Sequence, residues 1–411
     1  MKRILTLLLT LTLLFAAACA SESRPTHTET EKNPAAEETE TEPLSATKEE
    51  EETAEEVQTS STAEESTTTT TAAPSTTTAK PTTTAKKPTT TTKPPVTTTK
   101  KAQPSYTPTL SYTRLPEGAS ALYNNEAGGV TGSETLYRKM VSAYLNYETS
   151  VPFASNEDPH CVLNMLRFHF PLFFADTAME VDFADYGNGT VKIRYKSDRA
   201  AHDKIVENFE KRVKTLLQGN LGSTDAEKAL TLYLRFCEGL TYDNALANVE
   251  LSWNYLYHEN NPRYDEGYRA LMEGDGVCSG FAIGYSFLLS QAGLDSYCVF
   301  ADGRNDAHAW NAVKLSGKWY FVDPTAGISQ GGKVNPIYRF GLSTTEMMIL
   351  GYPKDGFRYS NYPQSGSFLT VTDARFRQLY ERQAFAPTID YNTHTVSFKD
   401  PYGFTKSLSL A

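Results

Sequence analysis

Residues 20–103 hold almost no large apolar side chains, and that run fixes where a folded body can begin. Its first part, 20–66, carries 15 acidic residues against 3 basic ones. Its second part, 67–103, holds 18 Thr, 5 Pro and 6 Lys among 37 residues, with no acid. Neither part can bury enough apolar surface to offset the entropy of ordering a chain. The expectation is a disordered stalk over 20–108, with Thr open to glycosylation and Lys able to lie against an anionic wall polymer. Ordered patterning starts after Pro108. With the stalk and leader set aside, residues 104–411 carry a net charge of −6. A body of that size can build its own core, and its mild acidity gives no footprint for nucleic acid.

Ahead of the stalk, Lys2-Arg3, an apolar run from Ile4 to Phe15 and then Ala16-Ala17-Ala18-Cys19 read as a secretory signal peptide over 1–19. The run is too short to persist as a spanning helix. Its end resembles a bacterial lipoprotein box, small residues before a cysteine. That resemblance implies that Cys19 bears lipid after cleavage and anchors the chain at the outer face of the cell membrane. The alternative is an ordinary cut at the Ala-x-Ala site, which releases a secreted protein.

Three regions follow in the folded part: a helical and hairpin region at 109–199, a core at 200–350 and an α+β extension at 351–411. Thr131-x-x-Glu134 predicts a capping box and a helix through Leu136, Met140, Val141, Tyr144 and Leu145. Val162–Phe168 suggest a second helix. Strands at Ala178–Phe183 and Val191–Tyr195 flank Gly187-Asn188-Gly189 as a hairpin. Ile205, Phe209, Val213 and Leu216 mark a helix, and Thr224-x-x-Glu227 opens another through Cys237. After a loop at 274–280, Phe281, Ala282, Tyr285, Leu288, Leu289 and Ala292 form an apolar helical stripe. Tyr297–Ala301, Ala307–Leu315 and Trp319–Val322 are strands, the last two joined by Ser316-Gly317. Near the end, a helix at Thr372–Gln383 and strands at Thr395–Phe398 and Thr405–Leu410 are expected.

Within this pattern Cys278 falls at a helix start, His308 in one strand and Asp323 in the paired one. A thiol is a weak nucleophile at neutral pH, and a helix N-terminus and a neighbouring imidazole both activate it. If Leu315 pairs with Lys318, His308 and Asp323 share a sheet face one diagonal step apart, within about 5–8 Å. Asp323 can then fix the tautomer of the imidazole and stabilise its charged form. Cys161, Cys237 and Cys298 lie in apolar stretches and read as small buried hydrophobes.

The segments Gly276-Val277-Cys278-Ser279-Gly280-Phe281-Ala282, His308-Ala309-Trp310-Asn311-Ala312-Val313 and Gly317-Lys318-Trp319-Tyr320-Phe321-Val322-Asp323-Pro324-Thr325 resemble the transglutaminase-like (transglutaminase core) domain of bacterial exported proteins, within the papain-like cysteine protease superfamily. Glu227-Lys228-Ala229 and Leu240-Thr241-Tyr242-Asp243 look like the stretch that precedes the nucleophile there. The resemblance covers roughly 200–350. It implies an α+β fold, a helical part carrying the Cys helix against an antiparallel sheet carrying His and Asp, and a catalytic triad at Cys278, His308 and Asp323. Ala326 stands where a large aromatic is common, which bears on cleft shape. Trp310, Asn311 and Tyr320 are candidates for packing or cleft walls.

The function expected on these grounds is a surface-tethered, monomeric cysteine acyl-transfer enzyme whose partner is a peptide or protein substrate, wall-associated amides included. Hydrolysis is slightly preferred to crosslinking, because water is abundant outside the cell. The alternative is a non-catalytic binding or scaffold module that keeps the fold. Cys278-Ser279-Gly280-Phe281 also looks like the nucleophile motif of cell-wall endopeptidases, although Val277 stands where those have Asp. The seven His are scattered without ligand spacing, so no metal is expected. No Gly-rich phosphate loop sits in a βαβ setting, so no nucleotide or other cofactor is implied either.

Overall fold

The structure, a computed structural model, describes residues 108–249, 261–304, 306–359 and 369–411. The leader, Cys19 and the stalk up to residue 107 lie outside the described residues. The first long helix, α1 (Ser133–Leu145), begins with Gly132 as its cap and no side-chain capping bond. The expected Thr131 box is therefore not formed. The Thr131 and Gly132 backbone N–H groups both donate to the Asn156 carbonyl, and Glu134 accepts from Ser120 instead of reaching back. Strand β1 (Ser150–Phe153), α2 (Pro159–His169), β2 (Thr177–Phe183) and β3 (Gly189–Tyr195) follow. The expected hairpin forms, and β3 lies between β2 and the unforeseen β1.

Helix α3 (Arg199–Leu217) buries Phe209, Val213, Leu216 and Leu217 along one stripe and leaves its charges in water. Helix α4 (Asp225–Cys237) opens with the expected box, Thr224 taking the Glu227 N–H while the Glu227 carboxylate takes that of Thr224. A short α5 (Glu266–Met272) then leads to α6 (Cys278–Gln291). Helix α6 is apolar on nearly every side and accordingly buried on nearly every side. Gly280 is what allows it to lie against α5: a Cβ there would stand 2.8 Å from the Glu266 carbonyl oxygen.

Strands β4 (Ser296–Asp302), β5 (Ala307–Leu315) and β6 (Lys318–Val322) form the centre of a five-stranded sheet, with β7 (Phe340–Leu342) beside β6 and β8 (Arg358–Tyr359) beside β4. Ser316 and Gly317 both have positive φ, 50° and 79°, the conformation of a two-residue turn matched to strand twist. Leu315 consequently pairs with Lys318 and Asn311 with Val322. Asn311 Nδ2 donates to the Ala282 carbonyl at 2.8 Å, tying the sheet to α6. At the end of the chain β9 (Phe385–Asp390), β10 (Thr395–Lys399) and β11 (Thr405–Ser409) make a separate antiparallel sheet. The helix expected over 372–383 is reduced to Arg377–Glu381. Its start fails because Asp373 turns back to accept from the Arg375 N–H, a local bond that competes with helix.

Candidate active site

Cys278 is the first residue of α6, with Val277 in extended conformation as the cap and no side chain covering the helix end. Cys278 is partly exposed, whereas Cys161, Cys237 and Cys298 are buried. Burial pushes the thiols of Cys237 and Cys298 well up, with nearby carboxylates adding to it, so neither ionises readily. Cys278 combines access with the positive end of a helix.

His308 sits in β5, and Asp323 lies one residue beyond β6 rather than inside it. There Asp323 caps a short 3₁₀ turn, its Oδ1 accepting from the Thr325 N–H at 3.0 Å. Its Oδ2 is 3.0 Å from His308 Nε2. With Nε2 engaged, Nδ1 is the ring nitrogen left for the thiol. Burial alone would lower the His308 pKa. The Asp323 charge and hydrogen bond, followed by those of Cys278, outweigh burial and push it up to about 10. Burial would likewise raise the Asp323 carboxyl, but His308 and then Arg339 hold it well below the usual carboxylate range.

Two further residues fix this pair, and no sequence motif announced them. Arg339 Nη1 donates to Asp323 Oδ2 at 2.7 Å. The Tyr352 ring lies 5.5 Å from the His308 ring at 28°, stacked on it, and its hydroxyl donates to Asp306 Oδ1 at 3.4 Å. Both lie in irregular chain after β6, where no periodicity marks them. Trp310 is fully buried between Tyr352 and Phe357, and Tyr320 packs on Phe376. With Asn311 bonded to α6, all three are packing residues and none lines the cavity at the thiol.

That cavity, of 580 Å³, holds Cys278 and His308 together with Tyr242, Arg167, Arg263 and Phe300. Tyr242 reaches it because residues 241–242 pair with 275–276, next to the nucleophile loop. Burial and then the Cys278 charge push the Tyr242 hydroxyl up to about 12, so it stays a proton donor. A thiol on a helix end, an imidazole held by a carboxylate and a proton donor lining the same cavity are groups that thiol nucleophilic chemistry can use.

Comparison with known families agrees. Residues 211–324 match the family described as the transglutaminase-like superfamily, a span that includes Cys278, His308 and Asp323. This part of the chain is a transglutaminase-like domain, a class that supports a cysteine-type enzyme in general terms. No curated protein matches. Among solved structures, a TGase is 14% identical at a TM-score of 0.24, over 49% of this chain and 55% of its own. A candidate cysteine protease from Cytophaga hutchinsonii is 12% identical at 0.20, over 36% of this chain and 62% of that one. A candidate protease from Parabacteroides distasonis ATCC 8503 is 14% identical at 0.19, over 36% of each chain. The chain thus spans about half the length of the first of these, and the family match is what assigns the domain.

Proposed function

We propose that the protein is a cysteine acyl-transfer enzyme acting on peptide or protein amides, with Cys278 as nucleophile, His308 as general acid and base, and Asp323 as its orienting carboxylate. The supporting observation is the His308 imidazole, bonded to Asp323 at 3.0 Å and held protonated to about pH 10 beside Cys278. A thiolate and imidazolium pair is the resting state such a site uses. Cys278 Sγ attacks the amide carbonyl, forming a C–S bond and an oxyanion. The Cys278 N–H, which has no intrahelical acceptor at the first helical position, is the donor available to that oxyanion. His308 gives its proton to the departing nitrogen as the C–N bond breaks. It then takes a proton from water, which attacks the thioester and restores the thiol.

Hydrolysis is preferred to transfer onto an amine because the cavity is bordered by exposed Asp302, Asp306 and Ala307, so water has ready access. The reading extends to location. A lipid on Cys19 and the stalk beyond it would hold the domain off the outer face of the membrane, within reach of wall peptides.

The test is alkylation by iodoacetamide from about pH 5 to 9, the modified cysteine being located by mass spectrometry. Selective labelling of Cys278 well below the ordinary thiol range, slowed in His308→Ala, is expected. A Cys278 no more reactive than Cys161, Cys237 or Cys298 would reject the reading.

A further inference from the structure

The cavity at Cys278 carries an asymmetry of charge that the thiol chemistry does not require. Among the described residues its lining holds Arg167, Arg263 and Arg358 against Glu266, Asp302 and Asp306. The numbers balance but the depths do not. Asp302 and Arg358 pair at 3.2 Å with side chains 58% and 21% exposed, and Asp306 is exposed as well. Water and salt screen that outer group. On the inner wall Glu266, only 1% exposed, is shared between Arg167 and Arg263, whose side chains are 8% and 13% exposed.

Arg263 is tied to the nucleophile loop itself. Its Nη2 donates to the hydroxyl of Ser279, the residue after Cys278, and that hydroxyl donates to Glu266 Oε2 at 2.6 Å. Burial lowers the Arg263 pKa, but Glu266 and then the Cys278 charge more than restore it, so the guanidinium stays charged and within electrostatic reach of the sulfur. Among the described residues lining this wall, two guanidiniums face the single Glu266 carboxylate, so positive charge is in excess there. Pairing there is stronger than at the surface, because little water intervenes. A guanidinium also takes a carboxylate through paired N–H donors, which gives orientation as well as attraction.

We propose that the Arg263 wall selects substrates carrying a carboxylate on the residue beside the attacked amide, either an acidic side chain or a chain-terminal carboxylate. The inference rests on Cys278 being the nucleophile and adds the substrate class to that reading. Asp302 and Asp306, the exposed carboxylates of the lining, leave the outer part of the cavity without such a preference.

Iodoacetate and iodoacetamide test this on the full chain without a known substrate. They have nearly the same size and chemistry and differ by one negative charge. The ratio of their rates at Cys278, at low salt, is expected to exceed the ratio for mercaptoethanol. It should fall about fivefold in Arg263→Gln, the effect of removing one charge at close range, and recover in part in Arg263→Lys. The iodoacetamide rate and the melting curve report whether each variant is folded. Should Arg263→Gln not fold, Glu266→Gln serves in its place, with a ratio expected to rise because the wall loses its one carboxylate. A ratio equal to that of mercaptoethanol, or one indifferent to both substitutions, overturns the proposal and leaves the nucleophile assignment standing. Failure of both reagents to label Cys278 overturns both.

Discussion

Arg339 donates to the same Asp323 oxygen that holds His308: Oδ2 lies 2.7 Å from Arg339 Nη1 and 3.0 Å from His308 Nε2. Asp323 is 1% exposed, so its charge is balanced by these two cations and by little water. A buried carboxylate with two charge-assisted bonds is firmly ionised and firmly placed. Orientation of the His308 imidazole therefore depends on a residue outside the span of the family match.

Replacing Arg339 by Leu should cost about 3 kcal/mol of stability at neutral pH, because it strips one partner from a buried charge. Asp323 has a depressed pKa, so its contribution is present above the unfolded value of 3.8 and is lost only as pH falls through the lower folded value. Without Arg339 the folded pKa rises. Acid unfolding followed by circular dichroism should then begin at higher pH than in the parent protein. An unchanged acid midpoint would mean that His308 alone holds the carboxylate.

His308 has the opposite sign. Its folded pKa is raised from 6.5 to about 10, so its contribution is complete below pH 6.5 and is lost as pH rises through about 10. Over that window the stability difference between the protein and His308→Ala should shrink with a slope approaching about 1.4 kcal/mol per pH unit. Urea melts at a series of pH values measure it. A difference that stays flat from neutral to alkaline pH contradicts a charged His308.

Asp323→Asn separates charge from placement. The amide oxygen can still cap the Thr325 N–H, so the turn survives. The imidazole, however, loses the attraction that overcomes its burial. Cys278 labelling at about pH 6 should drop at least tenfold in protein that still folds, while the melting temperature falls by no more than the lost pairing with His308 and Arg339 accounts for. Equal loss of labelling and fold would assign Asp323 a purely structural role.

The parts of this site that were legible in the sequence are those with a local signature. Cys278 precedes an apolar stripe, and Ser316-Gly317 fixes the pairing that brings residues 308 and 323 to one end of the sheet. The same logic gave the hairpin of β2 and β3 and the Thr224 box. What escaped depends on chain with no period. Arg339 and Tyr352 arrive from loops whose course is set by tertiary packing, and strand β1 is four residues beside a partner forty positions away. Thr131 was a correct signal at the wrong place, since the Asn156 carbonyl took the Thr131 N–H that the Glu134 carboxylate of a box would have engaged. Of the two roles the sequence left open for Trp310 and Tyr320, packing or cleft wall, the fold gives packing, because both faces of the sheet are covered there and both side chains are buried.

The packing of α6 on α5 gives the remaining prediction. At Gly280 an added methyl would stand 2.8 Å from the Glu266 carbonyl oxygen and 3.2 Å from its carbonyl carbon. These are backbone atoms, so no rotamer change relieves the contact and the two helices must part by a few tenths of an ångström. Gly280→Ala should cost about 1–3 kcal/mol, the usual price of overpacking. The displacement is also functional in direction. Ser279 and Glu266 are joined at 2.6 Å across the same interface, and Cys278 begins the helix that moves. Alkylation of Cys278 by iodoacetate should therefore slow more than alkylation by iodoacetamide, since the Arg263 wall is tied to α5 through Glu266. A variant with lowered melting temperature and an unchanged ratio of the two rates would show that the helix contact supports the fold without tuning the site.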